Sequence, residues 1–222
     1  MDRNRWLLMP LFLSLTIGLG YTVLSLPEHT EGLQAVVSGK MEVSGVSNPV
    51  TAVLLNFRGY DTLLEMMVLL LALLGVWSLG IAPLRRETRP GPVLDTLARI
   101  LVPVLILVAG YLLWIGAHAP GGAFQAGSVL GAAGVLLLLT GWRLSPRQAA
   151  LPLRFALVVG PGTFLAIAVF TLLNEGRVLE YPQAQAGILI LGIETAATAS
   201  IGVTLAALFL GNHPSDDGKD LV

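Results

Sequence analysis

Residues 114–141, WIGAHAPGGAFQAGSVLGAAGVLLLLTG, place a polar, glycine-rich break between two apolar runs. His118, Pro120, the pair Gly121 and Gly122, and Gln125 gather where a hydrophobic chain changes direction. Proline followed by two glycines permits a tight turn, and such a turn leaves backbone groups exposed for other work. The break is expected at a membrane boundary, which makes it the first place to seek function.

The apolar character extends over the whole chain. Of 222 residues, 55% are hydrophobic and only 12% charged, and the mean hydropathy is +0.78. Soluble domains are far less apolar, so the composition is that of an integral membrane protein. Working outward from the break, six apolar segments emerge at 6–26, 62–81, 97–115, 124–142, 153–173 and 184–210. Each is close to the ~20 residues needed to cross ~30 Å of hydrocarbon at ~1.5 Å per residue. Lipid offers no partner for backbone N–H and C=O groups, so the segments must be helices. The expected fold is all-α and polytopic, with about six transmembrane helices, the first a retained anchor and the last long enough to tilt.

Basic residues suggest the orientation. Arg3 and Arg5 precede the first segment, Arg85, Arg86, Arg89 and Arg99 follow the second, and Arg143, Arg147 and Arg154 lie between the fourth and fifth. With alternating helices all of these share one side, against Lys40, Arg58 and Arg177 on the other, so both termini are expected in the cytoplasm. The long connection 26–60 then lies outside, with a brief helix or re-entrant turn at 50–55. A basic, proline-punctuated segment at 83–92 divides the chain into an expected two-helix module, 1–92, and a four-helix module, 93–222.

Several function classes drop out. A net charge of −1 with no basic patch argues against nucleic acid as a partner. The absence of cysteine excludes disulfides, thiolate metal sites and cysteine nucleophiles. No HExxH, GxSxG or P-loop motif occurs, and no dense His/Asp/Glu cluster, so neither an enzyme nor a metal or cofactor site is expected. His118 and Ser128 are the best pair an enzyme could use, and nothing in the sequence orients them.

Glu194 is the sharpest candidate. About ten residues from 184 carry it ~15 Å along its helix, toward the bilayer midplane. A carboxyl in hydrocarbon is costly in its charged form and normally has a polar route or a partner. Two readings stand: a proton carrier, with Thr198 continuing a polar ion path along the helix, or a structural carboxyl hydrogen-bonded to a neighbouring helix or to Thr198. Its helix is rich in small residues, and Ala123, Gly127 and Gly131 recur every four residues on the preceding segment, a pattern that lets helices approach closely. Both faces are expected to be buried in an assembly. Asp61 and Glu65 lie one turn apart at a helix start, where they can line an ion mouth or, as part of a Thr62–Glu65 capping box, cap the helix. His118 can load or release protons, or simply favour the C-terminal end of a helix. Gln125 is a polar lining residue or an interfacial hydrogen bonder.

These residues sit in familiar surroundings. GAHAPGGAFQAGSVLGAA (116–133) resembles the signature of the B subunit of multisubunit Na+/H+ antiporters of the Mrp or Mnh type, and GILILGIETAATASIGV (187–203) resembles that family's last helix. The likeness covers about 94–211. Upstream, VTAVLLNFRGYDTLLEMMVLLLALLGVWSL (50–79) resembles the small E subunit of membrane-bound hydrogenases, which is similar to the C-terminal end of the antiporter A subunit. The resemblance implies a non-catalytic subunit in the cell (inner) membrane, with other membrane subunits as partners, Na+ and H+ as transported ions and the lipid bilayer around it. It also allows the alternative of a membrane-arm subunit in a hydrogenase-like or other redox-driven complex. Carried over by motif, Asp61, Glu65, His118, Pro120, Phe124, Gln125 and Glu194 are the matching positions, while Ala123 and Ala126 stand where the family often has glycine.

Overall fold

The structure is a computed structural model that describes residues 3–26, 32–79, 91–142 and 146–211. Among these residues the chain forms eight α-helices and no strand: α1 (Arg3–Leu24), α2 (Gln34–Lys40), α3 (Pro49–Ala52), α4 (Gly59–Ser78), α5 (Pro92–Ile115), α6 (Ala123–Leu139), α7 (Pro146–Glu175) and α8 (Ala186–Leu210). Each apolar segment of the sequence is helical over most of its described residues. Four helical stretches, Gly59–Ser78, Pro92–Ile115, Leu151–Glu175 and Ala186–Leu210, are long and apolar enough to cross a membrane, and Met9–Leu24 and Ala123–Leu139 are apolar but shorter. The protein is thus an all-α, multi-pass membrane protein. The basic segment up to residue 90 and the tail from 212 lie outside the described residues.

The chain divides into two compact units, Met1–Val36 and Val37–Val222. The first is built on α1, whose hydroxyls turn back onto their own helix: Ser14 donates to the Leu11 carbonyl, Thr16 to Phe12 and Thr22 to Gly18. Such bonds let polar side chains sit on an apolar helix without an outside partner.

In the second unit α8 is the hub. Ile190, Ile193, Ala197 and Ile201 of α8 are buried against Phe164 and Ala168 of α7, Met66 of α4 and Leu55. Toward its other end, Ala207 packs with Leu73 of α4 and Leu157 of α7. Antiparallel packing joins α5 to α6, with Ala98 and Val102 against Ala133. By contrast α6 and α8 run parallel: a Cβ at Gly127 would lie 2.8 Å from Ile201, one at Gly131 3.0 Å from Leu205, and one at Gly134 3.0 Å from Ala206. The small-residue face of α6, expected to meet other subunits, is therefore used within the chain. Glycine at these positions brings two backbones together where lipid supplies no hydrophobic drive and only packing holds helices.

The connection before α4 is ordered into short helical pieces. Asn48 caps α3 by accepting from the Val50 amide, with Pro49 at the first helical position. A π-helical turn, Val53–Phe57, follows, in which the Arg58 amide bonds to the Val53 carbonyl at 2.8 Å. The brief helix expected at 50–55 is present. The wider turn leaves two carbonyls to side chains: Thr62 donates to Leu54 at 2.6 Å and Tyr181 to Leu55 at 2.8 Å. Thr62 is thus three residues inside α4 and bonded backward, so it does not form the expected capping box with Glu65; the helix begins at Gly59 with no side-chain cap.

Candidate functional site

The polar break becomes a compact turn of seven residues between α5 and α6. Gly116 and Gly122 are in contact, since a Cβ on Gly116 would stand 2.6 Å from the Gly122 nitrogen. The Gly122 amide closes the turn by donating to the Leu112 carbonyl at 2.9 Å. Gly122 itself has φ of 104° and ψ of −175°, a conformation essentially confined to glycine. It delivers the chain into α6 with the first amides of that helix free of intrahelical partners.

Glu194 occupies the space in front of those amides. Its side chain is only 2% exposed, and the Ala123 amide donates to its carboxyl. Its Oε2 is buried and finds no hydrogen-bond partner among the described residues. A helix N-terminus carries partial positive charge, so this is a setting in which a carboxylate is favoured by the amide and the dipole while burial opposes its charge. The two tendencies act against each other at one group.

Glu194 is eight residues beyond Ala186, about 12 Å along α8, and the turn lies level with it. The preceding connection roofs the turn. Asn48 Nδ2 donates to the carbonyls of Gly116 at 3.0 Å and Ala119 at 2.7 Å, and Thr51 Oγ1 donates to Gly116 at 2.6 Å. The amides of Ser47 and Asn48 both reach the Ala117 carbonyl at 3.0 Å. Neither Asn48 nor Thr51 stood out in the sequence as a site residue. The Asn48-Pro49 pair carries a legible helix-start signal, but the bonds it makes reach about 70 residues along the chain.

The other candidates fall into three groups. Pro120, Gly121 and Gly122 form the turn, and Phe124 packs on the core beside it. His118 and Gln125 are exposed, as is Glu65, and Asp61 is partly exposed and paired with Arg58 one turn away. Thr198 is buried beneath Glu194 but does not serve its carboxyl. Its hydroxyl donates to the Glu194 main-chain carbonyl at 2.8 Å, that of Thr204 to Ser200 at 2.7 Å, and that of Ser200 to Leu157 of α7 at 2.7 Å. The hydroxyls along α8 therefore tie backbone to backbone instead of forming a chain of donors leading from the carboxyl. Among the described residues no group of three or more His, Asp or Glu could hold a metal ion.

Fold and site together define a polytopic helical membrane protein with a carboxyl buried at the start of α6. Residues 93–210 match the model of a family described as a domain related to the MnhB subunit of Na+/H+ antiporter, and the chain belongs to that family. The B subunit of the Na+/H+ antiporter of Bacillus subtilis (strain 168) is 35% identical over 75 residues, 34% of this chain and 52% of that protein. The chain thus spans about half the length of this relative. A chain of the Mrp complex from Dietzia sp. DQ12-45-1b is similar over 99% of this chain and 27% of its own, with a TM-score of 0.61 and 26% identity. A chain of the membrane-bound sulfane sulfur reductase, an archaeal respiratory membrane complex, shares the fold over 95% of this chain and 98% of its own, with a TM-score of 0.69 and 23% identity.

Proposed function

We propose that this chain is a membrane subunit of a multisubunit monovalent cation/proton antiporter in the cell (inner) membrane, transporting Na+ and H+ together with other membrane subunits. Its role is to move a proton and to support packing, without catalysing a chemical conversion. The observation that carries this is the carboxyl of Glu194, buried, given one amide by Ala123 and with no partner for Oε2 among the described residues. A group whose charged form is both stabilised and opposed by its surroundings can take up and release a proton with small changes around it. Asp61, Glu65, His118 and Gln125 are the more hydrated groups through which protons or cations reach that level.

Membership of the MnhB-related family and likeness to a chain of an Mrp complex support the antiporter setting. We further propose that 1–92 is a module akin to the E subunit of membrane-bound hydrogenases, that 93–222 is the B-like module, and that both termini are cytoplasmic. Packing crosses the boundary between the modules, because α4 lies against α7 and α8.

The test is Glu194→Gln in vesicles that contain the whole complex. Glutamine keeps the size and one acceptor but cannot release a proton. Dissipation of a pH gradient on adding Na+ or K+ is expected to collapse while subunit levels stay normal. Normal exchange at normal assembly would leave Glu194 as a packing residue and end the proton-carrier proposal.

A further inference from the structure

We infer that Asn48 and Thr51 are positioning residues for Glu194: by fixing the turn 116–122 they aim the first amide of α6 at its carboxyl. The inference builds on the reading of Glu194 as the titrating group, and it concerns residues that make no contact with the carboxyl themselves.

The linkage is continuous and short. Thr51 Oγ1 and Asn48 Nδ2 both hold the Gly116 carbonyl, and Asn48 also holds that of Ala119. Gly116 abuts Gly122, with room for no Cβ between them. Gly122 abuts Glu194, since a Cβ there would lie 2.9 Å from Oε1, and the next amide, that of Ala123, is the donor to the carboxyl. Each step is a contact with no slack, so a displacement of Gly116 is passed to Ala123. Buried turns lack water to take over lost bonds, and the carbonyls of Gly116 and Ala119 would have to turn elsewhere if the clasp were removed.

Stability alone would be served by any buried hydrogen bonds. The clasp does something more specific because it is built against the turn whose exit sets where α6 begins. A bond from an amide to a carboxylate weakens steeply with distance and angle, so a small shift of Ala123 alters how well the charged form is held. Among the described charged groups of the connections and helix ends, Arg58 pairs with Asp61, Arg177 pairs with Glu180, and Glu65 and His118 are exposed.

The experiment reads the carboxyl directly. Dicyclohexylcarbodiimide reacts with protonated buried carboxyls, and the labelled Glu194 peptide is quantified by mass spectrometry at one fixed pH in the assembled complex, with Glu194→Gln as the blank. Thr51→Val and Asn48→Ser, the latter keeping an acceptor for the Val50 amide, are expected to label severalfold faster than wild type because the charged form loses its donor. Thr51→Ser restores the hydroxyl and is expected to return the rate to that of wild type. Unchanged labelling in both variants at normal assembly would overturn the inference, as would Thr51→Ser behaving like Thr51→Val. If neither variant assembles, the clasp is a folding element and the inference also falls. Ion exchange separates the two proposals: normal exchange by Glu194→Gln defeats the proton-carrier role, whereas the labelling rates still decide the positioning role.

Discussion

Gly122 and Glu194 touch so closely that a methyl group on the first would stand 2.9 Å from Oε1 of the second. The glycine is required twice over, by that contact and by its φ of 104°. Gly122→Ala is expected to destabilise the protein by about 1–3 kcal/mol from backbone strain alone. Recovery of intact complex after graded heating checks this. Gly162→Ala in α7, where a Cβ meets nothing within 4 Å, is the matched control and should be neutral.

The contact of Gly127 with Ile201 makes a second prediction. Gly127→Ala places its Cβ 2.8 Å from the Ile201 side chain and should cost about 1–3 kcal/mol through overpacking. Ile201→Gly removes both obstructing atoms, Cβ and Cγ2, so the double variant is expected to be more stable than the sum of the single effects. Strict additivity in thermal recovery would mean that the two helices do not meet there. Gly127→Leu and Gly131→Leu should lower the amount of this chain itself, before any question of partner subunits arises.

Tyr181 supplies a pH dependence that can be checked. Burial pushes its phenol well above the usual tyrosine range, and its hydroxyl donates to Leu55. In the unfolded chain a tyrosine ionises near pH 10, whereas in the folded chain it resists ionisation. Stability is thus fully present below about pH 10 and is lost as the pH rises from there toward the folded value. Tyr181→Phe should cost about 1–3 kcal/mol at neutral pH, because the Leu55 carbonyl is left unsatisfied, and should flatten the alkaline loss. Thermal recovery measured at neutral and alkaline pH for both forms tests the sign.

Topology is open to a direct measurement because the chain has no cysteine. Single cysteines at Gln34 and at Arg89, which lies outside the described residues, are expected to react with an impermeant reagent from opposite faces of the membrane. Reaction of both from one face would refute cytoplasmic termini with six crossings.

Much was legible in the sequence because it depends on local composition. A run of about 20 apolar residues is helical in lipid wherever it is placed, since no other local structure satisfies its backbone. That reasoning located α4, α5, α7 and α8 to within a few residues at most ends, and it singled out Glu194, whose cost in an apolar helix needs no tertiary knowledge. The glycine spacing of α6 likewise announced a close helix contact. It could not say with which helix, because a small-residue face fits any neighbour that approaches, and only the packing shows that Gly127 and Gly131 meet Ile201 and Leu205.

Tertiary structure decided the rest, by bringing together groups far apart in the chain. Thr62 illustrates it: its sequence context permits a capping box, but the π-helical turn frees the Leu54 carbonyl, and the hydroxyl bonds there instead. The partner of Glu194 was hidden for the same reason. Nothing in GILILGIETAATASIGV names the Ala123 amide, and nothing in SNPVT (47–51) names the carbonyls of Gly116 and Ala119. Sequence alone determined that this chain is a bundle of membrane helices with one costly carboxyl, because apolar length and an intramembrane charge are properties of short segments. Which backbone groups meet that carboxyl was decided only when the parallel packing of α6 on α8 set the turn against it, since backbone amides and carbonyls are the same in every residue and acquire a role solely from position.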